Sequence, residues 1–129
     1  MASAIATSLE CLVEKLGDPQ IQIYQHLYQQ HPEVRPLFVL DTDGGVRGAM
    51  LQTTLETILD YAMHNRLDHV SLAAWRSHHV GYEVDAGLFT RFFVIIRDCA
   101  RDALGSDWTV DMEIAWAELL RQVKASEAA

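Results

Sequence analysis

The side chains best suited to chemistry near neutral pH are six histidines: His26, His31, His64, His69, His78 and His79. Their spacing matches no metal-ligand or catalytic signature. The chain has no His-Glu-x-x-His, no Gly-x-Ser-x-Gly and no glycine-rich phosphate loop, and its acids are scattered along solvated faces, so hydrolytic chemistry is not indicated. His26 and His69 read as surface positions. His31 and His64 lie at helix ends, where an imidazole can cap carbonyls. His78-His79 is different, because the pair closes an otherwise apolar segment. Neighbours on a helix point about 100° apart, so only one of the two can face a given pocket. On these residues alone, a ligand role and a satisfied or exposed role both stay open. Cys11 and Cys99 are far apart, form no metal or redox motif, and read as reduced thiols.

The elements that must position these residues are helical nearly throughout. Thr7 or Ser8 opens a first helix with Glu10 placed for a capping box, and Leu9, Leu12, Val13 and Leu16 form an apolar stripe that Gly17 closes. Asp18-Pro19 restarts the chain as N-cap and first helical residue. Ile21, Tyr24, Leu27 and Tyr28 face inward, and Pro32 stops this helix near His31. After the polar turn Asp41-Thr42-Asp43-Gly44-Gly45, a long helix runs from about Val46 to about Met63, with Met50, Leu51, Leu55, Ile58, Leu59 and Ala62 inward. Asp68 caps a shorter helix through Val70, Leu72, Ala73, Trp75 and Arg76 to about His79. Asp85 caps a broadly apolar one that Gly105 ends and that belongs deep in the core. Thr109 caps the last helix, whose Met112, Ala115, Trp116, Leu119, Leu120 and Val123 face inward, and Ala125–Ala129 is expected to fray. No segment alternates with period two. The chain reads as all-α, with about six main helices whose unequal lengths do not suit an up-down four-helix bundle.

The composition sets the outer bounds. A chain of 129 residues, half of them hydrophobic, makes one domain with a core of its own and not a disordered segment. Ten basic against eighteen acidic residues leave a net charge of −8, which disfavours nucleic acid as a partner. No apolar run is long enough to cross a bilayer, and Met1–Ser8 lacks the basic start of a signal peptide, so a cytoplasmic protein without a membrane partner is expected.

Three collinear stretches carry a resemblance. The first joins Tyr24 and Leu27 to His31-Pro32-Glu33-Val34-Arg35-Pro36-Leu37-Phe38. The second runs from Leu72 to Val84 and contains Trp75-Arg76-Ser77-His78-His79-Val80. The third is Leu104-Gly105, Thr109 and Ala115-Trp116. Together they resemble the second and third helices, the proximal helix, and the junction into the last helix of bacterial haemoglobins and of flavohaemoglobin haem domains. The resemblance implies a globin fold, a 3-on-3 helical sandwich, as a single domain over residues 1–129. It also implies haem b as cofactor and dioxygen or another diatomic gas (CO, NO) as ligand. Phe38 matches the phenylalanine that packs on the haem, Tyr24 the distal tyrosine that donates to dioxygen, and His79 the proximal iron ligand. The register favours His79 over His78, because Val84 and Phe89 then fall where the family has a valine and an aromatic.

The departures from the family pattern shape the expected function. The loop between Phe38 and the long helix is short. The position where many globins place a distal His or Gln reads Val46, and the next pocket position inward reads Met50; another register brings Gln52 into the pocket. On the proximal side the family's tyrosine position reads Phe89, and the chain ends before the matching Glu position. A less polarised histidine disfavours peroxidase-like O–O cleavage. The last helix is short, which leaves the haem edge exposed or calls for a partner such as a second copy in a homodimer. Reversible gas binding for storage, delivery or sensing is the leading expectation. One alternative is a nitric oxide dioxygenase with an external reductant, since the chain has no room for a flavin reductase domain. The other is a haem-free globin-fold module that acts through protein contacts in signalling.

Overall fold

Among the described residues, apolar stripes of helical period bury themselves against one another as six α-helices. The computed structural model describes residues 2–81, 84 and 86–128. In chain order these are α1 (Ser3–Leu16), α2 (Gln20–Gln30), α3 (Gly45–His64), α4 (His69–Gly81), α5 (Ala86–Leu104) and α6 (Val110–Ala125). Short 3-10 stretches cover Pro32–Phe38, Gly105–Asp107 and Ser126–Ala128, and no strand occurs among the described residues. Helix α5 is the axis of the packing. It lies against α1, α2, α4 and α6, while α1 also meets α3 and α6. Its Phe93, Ile95, Ile96 and Ala100 are wholly buried, as its apolar composition requires.

The punctuation lies close to where sequence places it. The Asp18 carboxylate accepts from the Gln20 amide at 3.0 Å, the Asp68 carboxylate from the Ser71 amide at 3.1 Å, and the Thr109 hydroxyl from the Met112 amide at 3.1 Å. The expected cap Asp85 lies outside the described residues. Two features join the start of α2 to the start of α3. Gly44 adopts a left-handed φ of 75°, and the Gln20 amide donates to its carbonyl at 3.1 Å. A Cβ on Gly48 would stand 3.0 Å from Gln20 Oε1, so a larger residue there would push the Gln20 side chain aside.

Several inward faces differ from expectation. Helix α1 starts at Ser3, a turn before Thr7 or Ser8, and its stripe is Ile5, Ser8, Leu9 and Leu12, which turns Val13 outward. Ser8 is no cap. Its hydroxyl donates to the Ile5 carbonyl at 2.6 Å and accepts from the Trp116 indole at 2.8 Å, which lets a wholly buried tryptophan satisfy its N–H. Ile23 replaces Ile21 on the buried face of α2, Thr54 and Tyr61 join the buried face of α3 while Leu59 lies on its flank, and Val70 of α4 faces solvent. The C-terminal stretch is ordered as a 3-10 turn through Ala128. Ser126 is buried there and its hydroxyl donates to the Val123 carbonyl at 2.6 Å, an anchor no periodicity argument reveals.

Candidate functional site

The close approach of α2 to α3 builds one corner of the site. Asp41 is buried, and its carboxylate accepts from the Val46 amide at 3.0 Å, the Arg47 amide at 2.9 Å and Arg47 Nε at 3.0 Å. Arg47 Nη2 returns a bond to the Asp41 carbonyl at 2.7 Å. These donors, the Val46 amide foremost, hold the Asp41 carboxyl below its usual range against the opposing effect of burial. The first turn of α3 is thereby fixed, and its Arg47 carbonyl accepts from the Tyr24 hydroxyl at 2.9 Å. Tyr24 is otherwise enclosed by aromatic rings. Its centroid lies 5.7 Å from that of Phe38, edge-on, and 5.5 Å from that of Phe92. Burial, reinforced by Tyr28, pushes the Tyr24 phenol above its usual value, so it remains a protonated donor.

An apolar cavity of about 60 Å³ opens beside Tyr24. Phe38, Met50, Thr54, Val84, Phe89 and His79 are among its lining residues. Two rings of α4 meet Phe89 edge-on or tilted, Trp75 at 5.0 Å and His79 at 5.2 Å between centroids. His79 Nδ1 lies 2.9 Å from the Trp75 carbonyl one turn earlier. A carbonyl only accepts, so Nδ1 carries the proton, and in the neutral ring Nε2 keeps the lone pair a metal needs. The Thr54 hydroxyl is spent on the Met50 carbonyl at 2.8 Å.

Of the residues singled out from sequence, the fold brings Tyr24, Phe38, Met50, His79, Val84 and Phe89 to this one cavity. His78, one residue along α4, is exposed and does not line it. Val46 requires correction, since it is 57% exposed and outside the lining. Asp41 captures its amide, which fixes it in the first turn of α3, where the helix end presents its side chain to solvent. Gln52 is likewise exposed, its amide donating to Glu56 at 3.0 Å on the outer face of α3. Sequence reasoning missed Thr54, which continues the Met50 face one turn on. It also missed the Asp41–Arg47 pair, whose only signal is an aspartate just ahead of a helix start.

Among the described residues no three His, Cys, Asp or Glu side chains converge as a metal site. A metal held by His79 would therefore have to bring its other ligands with it. The model of the globin family matches residues 21–126, which span all of these lining residues. The chain belongs to the globin family. No curated protein and no solved structure matches it. Globins typically hold haem and bind diatomic gases. The residues of this globin fit haem in kind: aromatic and aliphatic walls, and one imidazole whose Nδ1–H is already engaged. At about 60 Å³ the cavity is far below the roughly 300–1,000 Å³ of cofactor pockets, so a porphyrin enters only as lining side chains swing aside.

Proposed function

We propose that this globin, of the bacterial haemoglobin type, binds haem b through His79 and holds dioxygen or another diatomic gas beside Tyr24, for storage, delivery or sensing. The observation that supports this reading is that a single apolar cavity gathers Tyr24, Phe38 and His79 from three separate elements. When bound, haem b would be held through His79 and would supply an iron able to bind a diatomic gas. The protein's own residues then do three things. The Trp75 carbonyl orients the His79 ring and fixes its tautomer. As a neutral acceptor it polarises the ring less than a carboxylate would, which favours reversible binding over O–O cleavage. Phe38, Leu88, Phe89 and Phe92 exclude water, and Tyr24 supplies a protonated hydroxyl to a gas that gathers negative charge on binding.

The test is an absorption spectrum of the purified full chain in ferric, ferrous and carbonmonoxy forms. A Soret band that is lost in His79→Ala and kept in His78→Ala is expected. A chain that purifies colourless and takes up no added hemin overturns the haem reading. It would leave the haem-free interaction module.

A further inference from the structure

The Tyr24 hydroxyl has one proton to give, and in this fold it goes to the Arg47 carbonyl at 2.9 Å. A gas in the cavity can receive that proton only if the bond to Arg47 is broken. What holds the carbonyl in place is Asp41. Its carboxylate grips the amides of Val46 and Arg47 and the Arg47 Nε, while Arg47 Nη2 grips the Asp41 carbonyl. Asp41 is itself anchored, its amide donating to the Phe38 carbonyl at 3.0 Å. The chain of contacts runs Phe38, Asp41, Arg47, Tyr24, and it links the residue that would cover a cofactor to the residue that would meet its ligand.

We propose that Asp41 is a positioning residue for Tyr24. By fixing the first turn of α3 it keeps the Arg47 carbonyl where it takes the hydroxyl's proton and withholds that proton from the cavity. The consequence for gas binding rests on the haem reading above; the clamp itself does not. Asp41 then tunes selectivity between ligands. Dioxygen gathers negative charge on binding and is stabilised by a donor, whereas carbon monoxide gathers little.

Two measurements on the full chain test this separately. In the haem-free chain with ¹³Cζ-labelled tyrosine, the Tyr24 NMR line should move in Asp41→Asn. It should stay in Asp43→Asn, because Asp43 is exposed and caps only the Gly45 amide, at 2.9 Å. Asp41→Ser, which keeps one capping oxygen, serves if Asp41→Asn does not fold. An unmoved line in the folded variant overturns the clamp whether or not hemin binds; a moved line in a chain that refuses hemin upholds the clamp and removes the gas reading. In the hemin-loaded chain, Asp41→Asn should slow dioxygen dissociation about threefold, the size of one modest neutral hydrogen bond. Carbon monoxide dissociation should be unchanged, and the effect should vanish in the Tyr24→Phe background. An unchanged dioxygen rate, an equal change for both gases, or an effect that survives Tyr24→Phe overturns the proposal.

Discussion

Asp41 with Arg47 and Glu127 with Arg76 each set a carboxylate against the charge of a guanidinium, but the two corners are built on different terms. At the α2–α3 corner the carboxylate accepts three hydrogen bonds, two of them from backbone amides, and the guanidinium reaches a carbonyl as well. At the other corner, where α4 meets the C-terminal turn, Arg76 is 6% exposed. It makes one hydrogen bond, to the Val123 carbonyl at 3.2 Å, and rests 5.0 Å over the Phe89 ring. Its Nε and Nη1 are buried without a partner among the described residues. Burial pulls the Arg76 pKa down, opposed by the charge of Glu127. Hydrogen bonding locks the first corner into one geometry; the second is held by long-range charge and ring packing. The first corner governs the direction of one hydroxyl. The second fixes the helix that carries His79.

The largest effect should come from breaking the weaker corner. Glu127→Ala removes a charge that opposes the burial of the Arg76 guanidinium and should destabilise the fold by roughly 1–2 kcal/mol in urea unfolding. That is well below the penalty of a broken buried pair, because Glu127 is partly solvated and its carboxylate pairs with Lys124 at 3.1 Å. Arg76→Met tests the same pair from the other side. An apolar chain of similar volume has no unpaired N–H to bury, so a change below about 1 kcal/mol, or a gain, is expected. A large loss in Arg76→Met would mean that the guanidinium is properly satisfied in solution and that the two corners are alike.

Next in size is Tyr24→Phe, which removes the hydroxyl that the first corner directs. A hydrogen bond to a charged acceptor is worth about 1.5–3 kcal/mol, and giving up the existing bond to Arg47 offsets about 0.5–1.5 of that. The net of roughly 1 kcal/mol predicts a dioxygen dissociation rate about fivefold faster by stopped-flow mixing. An unchanged rate would remove Tyr24 from the gas site and leave its hydroxyl a purely structural link between α2 and α3.

The contrast between the corners is also a contrast in what sequence can reveal. Helix starts at Gln20, His69 and Val110 follow from Asp18, Asp68 and Thr109, because a cap is a local device readable within four residues. The gathering of Tyr24, Phe38 and His79 was legible through the family resemblance. The residues between them were not. Val46 looked like a pocket residue on register, but its exposure is decided by where Asp41 starts α3, and periodicity cannot show that. Ser8 read as a cap because its type favours caps, yet it is buried by a bond to Trp116 more than a hundred positions on. Glu127 lies in the terminal stretch that sequence alone marks as fraying. Its place beside α4 depends on the turn that Ser126 closes and on a charge buried in another helix, neither of which leaves a local pattern.

The smallest predicted effect is the one that separates the corners most cleanly, and it lies in the acid limb of stability. Both carboxylates sit below their ordinary values, Asp41 below 3.8 and Glu127 below 4.5. Each therefore adds stability that is complete above its ordinary pKa and is lost as pH falls through the lower value it has in the fold. The causes differ. Asp41 is held down first by the Val46 amide, a donor that neither titrates nor is screened. For Glu127, burial pushes upward and is outweighed by the surrounding donors and charges, Lys124 at 3.1 Å and the Arg76 charge among them. Added salt should weaken the charged share and spare the backbone share. Urea unfolding from pH 5 to pH 2.5 should then show a shallower acid limb in Asp41→Asn at both low and high salt, but in Glu127→Gln mainly at low salt. If salt erases the Asp41→Asn effect too, the α2–α3 corner is held by charge after all, and the Arg47 carbonyl is no more firmly aimed at Tyr24 than Arg76 is at its own neighbours.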